Sequence, residues 1–482
     1  MLDLSSYNLS SLEEKVFYYF NELCKIPHGS SNMDSIADFC VNFAKNHNLK
    51  YNRDSANNVI IYKPSENYPK DTIILQGHLD MVCQKDSDSD IDFLKDEITT
   101  FTDGDFLKAN KTTLGADNGI AVAMIFAILE STEIKLPSIE AVLTTDEEIG
   151  MLGAMALDTS LLNGKKMINI DSEDDEVLTV SCAGGSDFSA ILPIEYEAKT
   201  ATEITVSLQG LKGGHSGVEI DKKRVNANIL AGRFLNYMKT RCDFDIISID
   251  GGDKSNAIPN TCVIKLCSNC ADKFQNLSCE YLNVIKSEIS SREPDFNPIV
   301  NLGKQNNFSV LSAQNKNDII GILSTTPNGI IEMSAEIENL VETSLNLGIL
   351  VTKENEICLQ FALRSNKQSA LDSLEEKLSA FFERFACKTK VGGKYPTWEF
   401  KEDSAMQRLY CDTYYQITGK KPWVEAIHAG LECAVFSSTI DNLDCIAIGP
   451  TIFDAHTTNE RLSISSTHKI FNILIDVLTK LA

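Results

Sequence analysis

Hydrophobic residues in the first third of the chain alternate between strand-like runs and helix-like patterns. Helical patterns at residues 11–23 and 33–45 come first, and the first is opened by a capping box that we assign to residues 11–14. Apolar runs that predict strands lie at residues 58–62, 72–76, 139–144 and 166–170. Residues 120–130 are apolar on nearly every face, which predicts a buried helix. This alternation predicts an α/β fold with a mixed central sheet flanked by helices.

The pattern changes at about residue 187. Short alternating strands are predicted at residues 201–209, 261–267, 330–337 and 357–363, between longer helical patterns at 224–240 and 370–385. This is typical of an α+β unit with an antiparallel sheet. A helix at 403–418, a strand at 443–448 and a helix at 467–481 then predict a return to the first domain. We therefore predict a domain formed by residues 1–186 and 393–482, interrupted by an inserted unit of residues 187–392.

Composition and charge exclude several classes of protein. The 482 residues are 43% hydrophobic, and a formal net charge of -24 argues against binding to nucleic acid or to anionic membranes. The N-terminus lacks a basic segment followed by an apolar run, so we expect no signal peptide and a cytoplasmic protein. Fourteen scattered cysteines favour reduced thiols, and the pair Cys267–Cys270 lacks the second pair that a structural zinc site needs.

Histidines and acids follow the ends of the predicted strands. His78 and Asp80 are two residues apart at one strand end, so their side chains share a face, although a surface pair is the simpler interpretation. Asp117 lies at the start of the apolar helix. The simpler interpretation is that it is an N-cap and has no further role. A carboxylate at the start of a buried helix nevertheless needs a partner.

Two further acidic segments and a late histidine have the same placement. The acids 146–148 directly follow one strand, and Asp171 follows another; His456 comes shortly after a third. Solvated loops would explain each segment alone, but adjacent carboxylates repel unless a cation or proton lies between them. The coincidence of these positions, rather than any one of them, indicates a metal site at the carboxyl ends of the strands.

The ligand types indicate the metal and the chemistry. Histidines with carboxylates suit zinc, with manganese or cobalt as alternatives, and do not suit calcium. Asp117 could bridge two ions, while Glu147 beside Glu148 could act as the general base for a metal-bound water. Asp80 is placed to orient the imidazole of His78. These residues predict metal-assisted hydrolysis.

Six segments together resemble the co-catalytic zinc metallopeptidases, and within them the aminoacyl-histidine dipeptidases (Xaa-His dipeptidase, peptidase D, cytosolic nonspecific dipeptidase). They are residues 75–82, 112–119, 145–150, 169–174, 213–217 and 428–433. The resemblance covers nearly the whole chain, and the order of the motifs also fits. It implies a hydrolase that cleaves unblocked dipeptides, Xaa-His among them, through a water that bridges two zinc ions.

The resemblance also implies a role for each candidate residue. His78, Asp117 and Asp171 would hold one zinc ion, and Asp117, Glu148 and His456 the other, with Glu147 as general base. The inserted unit would be a lid, with His215 polarising the scissile carbonyl. The other implied substrate-binding residues are Asn256, Arg364, Gly430 and Glu432. Asn256 and Arg364 would bind the C-terminal carboxylate of the substrate.

Several alternatives stay open at this stage. The same scaffold could act as a carboxypeptidase, a tripeptidase or an N-acyl amino-acid deacylase. A non-catalytic metal-binding protein would not need Glu147 as a free base. A nucleotide-binding loop at residues 213–217 would need a Gly-Lys-Ser/Thr or GxGxxG pattern, which the sequence lacks there. Relatives are commonly dimers through the lid, so a homodimer is expected.

Overall fold

The computed structural model describes residue 7 and residues 9–65 and 72–482. The chain forms two compact units. Unit 1 comprises the residues up to Cys182 together with Phe400–Ala426 and Leu431–Ala482. Unit 2 comprises Ala183–Glu399 and the short segment Ile427–Gly430. The boundaries predicted at 186/187 and 392/393 lie near these divisions and stay a prediction.

The described residues form eleven α-helices. In chain order they are α1 Ser11–Cys24, α2 Asp34–Asn46, α3 Ala116–Glu130, α4 Leu152–Ala156, α5 Ala227–Lys239, α6 Ala271–Ile289, α7 Ala313–Thr325, α8 Gln368–Glu383, α9 Ala405–Thr418, α10 Glu432–Thr439 and α11 Ile464–Leu481. No helix within the described ranges is both long enough and apolar enough to cross a membrane.

The same part of the chain contains 23 strands. They are β1 Lys50–Arg53, β2 Val59–Lys63, β3 Thr72–His78, β4 Thr100–Asp103, β5 Phe106–Ala109, β6 Ser138–Thr144, β7 Lys166–Asn169, β8 Val177–Cys182, β9 Gly184–Pro193, β10 Tyr196–Leu208, β11 Gly214–His215, β12 Asp245–Gly251, β13 Ala257–Ile258, β14 Cys262–Ser268, β15 Ile299–Leu311, β16 Gly329–Met333, β17 Val341–Thr352, β18 Glu356–Ser365, β19 Lys388–Tyr395, β20 Trp423–Ile427, β21 Asp444–Ala447, β22 Ile452–Phe453 and β23 Arg461–Ser463.

Unit 1 is built on a mixed sheet with the strand order β1-β2-β6-β3-β7-β21-β8-β20. The central strands β6, β3, β7 and β21 are parallel, whereas β2 and β8 are antiparallel to their neighbours in the centre. Parallel strands that helices cover on both faces have continuous apolar sequences. For this reason β3 and β6 are buried along almost their whole length. The predicted mixed central sheet is confirmed.

Helix α3 is apolar all round because other elements cover it on several sides. Its residues are buried from Asn118 to Leu129. The ring of Phe126 stacks on Phe43 of α2 at a centroid distance of 4.3 Å and meets Tyr19 of α1 edge-on at 5.5 Å. The predicted buried helix is therefore confirmed, and its start is fixed inside the protein.

The predicted capping box at residues 11–14 is wrong by one residue. Ser10 is the N-cap of α1: its hydroxyl accepts a hydrogen bond from Glu13 N, and Glu13 Oε2 accepts one from Ser10 N at 2.6 Å. Ser11 and Glu14 have the same spacing, so the local pattern permits both registers. Glu13 is buried and Glu14 is exposed, and this tertiary burial selects the earlier register.

Unit 2 contains a nine-stranded sheet with the order β15-β10-β14-β12-β17-β18-β9-β19, to which β16 adds beside β17. Neighbouring strands of this sheet pair antiparallel. Alternate residues of β18, from Ile357 to Leu363, enter one apolar core together with residues of helices α5 to α8. This period of two is the pattern of a sheet with one face on a core. The predicted α+β unit with an antiparallel sheet is confirmed.

Candidate metal centre and substrate-binding groups

Three neighbouring parallel strands bring the candidate ligands of unit 1 to one edge of the sheet. Strand β3 ends at His78, β6 ends at Thr144 just before the acidic segment, and β7 ends two residues before Asp171. In the sheet β3 lies between β6 and β7. The carboxyl ends of these parallel strands therefore lie side by side, as expected for a site in an open α/β sheet.

Asp117 is held at the opening of α3 by a residue that the sequence analysis missed. The carboxylate of Glu460 accepts hydrogen bonds from the backbone N–H groups of Leu114 (2.7 Å), Gly115 (3.1 Å) and Ala116 (2.8 Å), and from Asp117 N at 3.4 Å. Gly115 has a φ of 72°, a left-handed conformation that suits glycine. Glu460 thus satisfies the free N–H groups and leaves the carboxylate of Asp117 directed elsewhere.

The carboxylate of Asp117 lies between two imidazoles. Its Oδ1 is 3.1 Å from His78 Nε2, and its Oδ2 is 2.9 Å from His456 Nε2. Asp171 Oδ1 lies 3.5 Å from the same nitrogen of His78, and Glu148 Oε1 lies 2.8 Å from that of His456. The five candidate ligands therefore form two groups that share Asp117.

The donor set fits metal ions. Ligand atoms of His78, Asp117 and Glu148 all lie within 4.8 Å of one another. Glu148 Oε1 is buried and has no hydrogen-bond partner among the described residues, although His456 is close. A buried carboxylate oxygen without a hydrogen bond is costly unless a cation compensates it. Histidine nitrogen with carboxylate oxygen is a donor set typical of zinc and related transition metals.

Electrostatics within the cluster points the same way. The carboxylates of Asp117 and Glu148, 2.9 and 2.8 Å from its Nε2, raise the pKa of His456 to about 11. Burial alone would lower the pKa of His78, but Asp171 and Asp117 hold it well above the usual value. Burial raises the pKa of Asp171 to about 6. The carboxylates thus create a strongly negative field that attracts positive charge to both imidazoles.

Asp80 is buried behind His78. Its backbone carbonyl lies 2.9 Å from His78 Nδ1, and its Oδ1 lies 3.4 Å from the same nitrogen. The carboxylate also accepts hydrogen bonds from Glu147 N (2.9 Å) and Ser30 Oγ (2.8 Å). Asp80 therefore contacts both the imidazole and the acidic loop, and its role in orienting His78 stays a prediction.

Glu147 stands apart from the ion-pair contacts of the five ligands. Burial raises the pKa of its carboxyl group well above the usual value, and the negative charges of Asp171 and Glu432 act in the same direction while His78 opposes them. A carboxyl group with a raised pKa near a reaction centre is suited to exchange protons near neutral pH.

In unit 2, His215 and Asn256 are close to each other. His215 pairs with Ala257 between strands β11 and β13, and the carbonyl oxygen of Asn256 accepts a hydrogen bond from Ser216 N at 2.9 Å. His215 Nδ1 accepts hydrogen bonds from Gly217 N and Val218 N, both at 3.2 Å. Burial and the charge of Arg364 lower the pKa of His215. The neutral ring therefore carries its proton on Nε2, as a donor.

Arg364 lies in the same part of unit 2. A Cβ atom placed on Gly217 would lie 2.9 Å from the ring of His215 and 3.1 Å from Arg364 Nε, so this glycine allows the two side chains to approach. Arg364 donates to Tyr395 Oη at 2.7 Å. Its Nε is buried and lacks a hydrogen-bond partner within the part of the chain that the structure describes. This guanidinium N–H is free to donate a charge-assisted hydrogen bond.

His428 is a further residue of this cluster that the sequence analysis did not select. Its Nε2 is 2.7 Å from Ser344 Oγ, and its Nδ1 is 3.2 Å from Asn366 Oδ1. Burial, together with the charge of Arg364, lowers its pKa to about 3, so the ring is neutral. The segment 428–433 carries the motif, but only the fold shows that this histidine packs near Arg364.

Gly430 and Glu432 differ in their placement. Gly430 is half-buried in the short segment grouped with unit 2. Glu432 opens α10 in unit 1 and is completely buried, where its carboxyl group accepts hydrogen bonds from Thr144 Oγ1 at 2.7 Å and from Gln76. Burial raises its pKa to about 7. Glu432 therefore joins α10 to the ends of β3 and β6, and a role in substrate binding stays a prediction.

Comparison with known proteins agrees with the fold and the cluster. Residues 206–274 match the model of the peptidase dimerisation domain. The chain is 35% identical over 470 residues to the cytosol non-specific dipeptidase of Escherichia coli, covering 96% of each chain. The structure matches that of the aminoacylhistidine dipeptidase of Vibrio alginolyticus with a TM-score of 0.89 and 34% identity over 99% of both chains.

The fold is also shared with more distant structures. An aminopeptidase of Bacillus cereus matches over 97% of this chain and 98% of its own with a TM-score of 0.58 and 14% identity, which shows a common fold only. Fold and clustered ligands together define a metal-dependent peptidase. The chain belongs to the cytosol non-specific dipeptidase family of M20 metallopeptidases. The resemblance predicted from the six motifs is thereby confirmed.

Proposed function

We propose that this chain is a di-zinc dipeptidase that hydrolyses unblocked dipeptides, Xaa-His among them. The observation that carries the proposal is the position of Asp117, with one carboxylate oxygen toward His78 and the other toward His456. The names of its relatives from E. coli and V. alginolyticus support the substrate class. A carboxypeptidase, a tripeptidase or an N-acyl amino-acid deacylase on the same scaffold is the alternative.

Five residues of unit 1 would hold the metal ions. His78, Asp117 and Asp171 form one site, and Asp117, Glu148 and His456 form the other; manganese or cobalt are alternatives to zinc. When bound, the ions would lower the pKa of a water molecule and polarise the carbonyl of the substrate. Asp80 would keep His78 in the tautomer that presents Nε2.

Glu147 would act as the general base and then as the general acid. The backbone N–H of Glu147 donates to Asp80, which fixes the start of the loop while the side chain stays outside the ligand contacts. Its raised pKa favours proton uptake from the attacking water. The same carboxyl group would pass that proton to the amine that leaves when the C–N bond breaks.

Four residues of unit 2 are proposed to bind the substrate. Arg364, with its unpaired Nε, and Asn256 would bind the C-terminal carboxylate. The Nε2–H of His215 would donate to the carbonyl oxygen as negative charge develops there. Gly430 would contact the substrate through its backbone. We also propose a cytoplasmic homodimer: residues 206–274 match a dimerisation domain, and the E. coli relative is named a cytosol enzyme.

The Glu147→Gln variant tests the proposal. Gln keeps the size of the side chain but cannot accept the proton, so the kcat for an Xaa-His dipeptide should fall by about 10²–10⁴-fold while the bound zinc per chain stays unchanged. The matched control is Glu133→Gln, an exposed residue outside the cluster. Near-normal turnover of Glu147→Gln would overturn the assignment of the base.

A substrate panel separates the dipeptidase from its alternatives. Purified protein is assayed with dipeptides, tripeptides, N-acetylated dipeptides and dipeptide amides, before and after chelation and with zinc, manganese or cobalt restored. We expect metal-dependent cleavage of the unblocked dipeptides above all others. Preferential cleavage of N-acylated substrates or of tripeptides would instead support one of the alternatives.

A further inference from the structure

Two thiols of unit 2 lie in contact, and neither belongs to the candidate metal ligands or substrate-binding residues. Cys242 follows α5, and Cys270 is the N-cap of α6; their Sγ atoms are 3.0 Å apart. A disulfide bond is about 2.05 Å long, so a movement of about 1 Å would join them. We propose that Cys242 and Cys270 form a reversible disulfide within the chain when a small-molecule disulfide such as oxidised glutathione is present.

The surroundings give the two sulfur atoms different roles. Cys270 is half-buried, and its contacts with Cys242 Sγ at 3.0 Å and Ser268 Oγ at 3.2 Å lower its pKa. Its position at the N-terminus of a 19-residue helix also favours the thiolate. Cys242 is buried, and burial raises its pKa to about 11. Cys270 is therefore the attacking thiol, and Cys242 the resolving one.

The pairing differs from the one that the sequence suggests. Cys267 and Cys270 form the CxxC pattern, but Cys267 lies on β14 and packs with Ala201 and Val310 in a small separate cluster. Its neighbour Leu266 faces the main core of unit 2, so Cys267 points to the opposite face of the strand. Cys242 is 28 residues away in sequence but is the thiol in contact with Cys270.

The reaction proceeds by two thiol–disulfide exchanges. The Cys270 thiolate attacks one sulfur of oxidised glutathione, and one glutathione thiolate leaves. The Cys242 thiol then gives up its proton, and its sulfur attacks Cys270 Sγ in the mixed disulfide to expel the second glutathione. Two protein thiols and one oxidised glutathione become one protein disulfide and two reduced glutathione molecules. Excess reduced glutathione or dithiothreitol reverses the reaction.

The bond would connect the end of α5 with the start of α6. Both helices contribute to the core of unit 2, and both cysteines lie within the segment that matches the dimerisation domain. Closing this loop restricts the unfolded chain. The oxidised protein should therefore unfold at a higher temperature than the reduced protein.

Peptide mapping of the full-length protein tests the proposal. The protein is incubated with oxidised glutathione, the remaining thiols are blocked with N-ethylmaleimide, and the digest is analysed by mass spectrometry. We expect a peptide pair joined through Cys242 and Cys270 that disappears after dithiothreitol. A Cys267–Cys270 link, or N-ethylmaleimide on both Cys242 and Cys270 after oxidation, would overturn the pairing.

Two variants test the order of attack. In Cys242→Ser, Cys270 should accumulate as a stable mixed disulfide with glutathione; in Cys270→Ser, Cys242 should stay reduced. Cys279→Ser, which removes an exposed thiol on α6, is the matched control and should still form the link. The assigned roles would be contradicted if glutathione reacted with Cys242 in the Cys270→Ser variant as fast as it reacts with Cys270 in the Cys242→Ser variant.

Discussion

Asp80 contacts both His78 and the acidic loop of the candidate metal cluster. It has a relative exposure of 1%, and its carboxylate contacts the backbone of Glu147, the hydroxyl of Ser30 and the imidazole of His78. Hydrogen bonds from these groups and the charge of His78 lower the pKa of Asp80, although burial acts against them. The residue is therefore ionised at neutral pH. One carboxylate therefore contacts both the imidazole of His78 and the loop that carries the proposed base.

Replacing this carboxylate should slow catalysis more than it weakens metal binding. Asp80→Asn keeps the shape but removes the charge that supports the imidazole, so we expect kcat to fall about 10–100-fold with zinc content retained. Steady-state kinetics and metal analysis of the purified protein check this. Asp90→Asn, at an exposed position, is the control. Unchanged kcat would show that the contacts of Asp80 are structural only.

Arg364 offers a second test at the scale of one residue. If it binds the C-terminal carboxylate of the substrate, Arg364→Ala should raise KM for a free dipeptide about 10–100-fold, as the loss of a charge-assisted hydrogen bond predicts. KM for the corresponding dipeptide amide should change far less. Arg384→Ala, at an exposed arginine, is the control. An equal change in KM for both substrates would argue against carboxylate binding.

At the scale of elements, the start of α3 depends on a distant residue. Glu460 precedes β23, yet its carboxylate accepts hydrogen bonds from four consecutive N–H groups at the start of α3. Negative charge at a helix N-terminus is favourable. Burial raises the pKa of Glu460 to about 7, so part of this interaction depends on pH. The contact fixes the backbone of Asp117, whose carboxylate lies between the two imidazoles.

Removing this carboxylate should affect both stability and metal binding. In Glu460→Ala the N–H groups lose their buried acceptor, which should lower the free energy of unfolding of the metal-free protein by about 2 kcal/mol. Urea unfolding measures this change, and zinc titration should show weaker binding because Asp117 is less well positioned. Glu133→Ala is the exposed control. An unchanged zinc affinity would show that the hydrogen bonds of Glu460 do not contribute to metal binding.

Local patterns predict the strand-end ligands but not their supports. His78 and Asp171 follow apolar runs, and parallel strands bring such positions to one edge of a sheet. Glu460 contacts residues more than 340 positions earlier, which no local pattern encodes. His456 adopts a left-handed φ of 64° in a loop, so its direction depends on tertiary packing. The contact between His456 and Asp117 could therefore be expected from the family resemblance but not from any local pattern.

The extra strands of unit 2 show a related limit. Strand β15 was not predicted, because this edge strand is mostly exposed and rich in polar residues. Strand β17 was not predicted either, because the buried polar residues Ser344 and Asn346 interrupt its apolar pattern. Both residues have hydrogen-bond partners, which explains how they are tolerated in the sheet. Hydrophobic periodicity detects neither case.

For the whole molecule, metal binding and protonation are linked. The chain has a formal net charge of -24, and the carboxylates of Asp117, Asp171 and Glu148 surround His78 and His456. These carboxylates raise the pKa of His456 to about 11 and that of His78 well above its usual value. In the metal-free protein both imidazoles are therefore protonated at pH 7. An ion that binds their nitrogen atoms must displace those protons.

Zinc binding should therefore release protons, and its apparent affinity should rise with pH. The sign follows from the raised pKa values: lowering the pH keeps the imidazoles protonated and opposes the metal, whereas raising it removes the competing protons. Calorimetric titration of chelator-treated protein at pH 7, in two buffers with different ionisation enthalpies, measures the protons released. The control His47→Gln, which changes a histidine outside the cluster, should release the same number. Binding without proton release, or with an affinity that falls as pH rises, would show that these imidazoles are not the ligands.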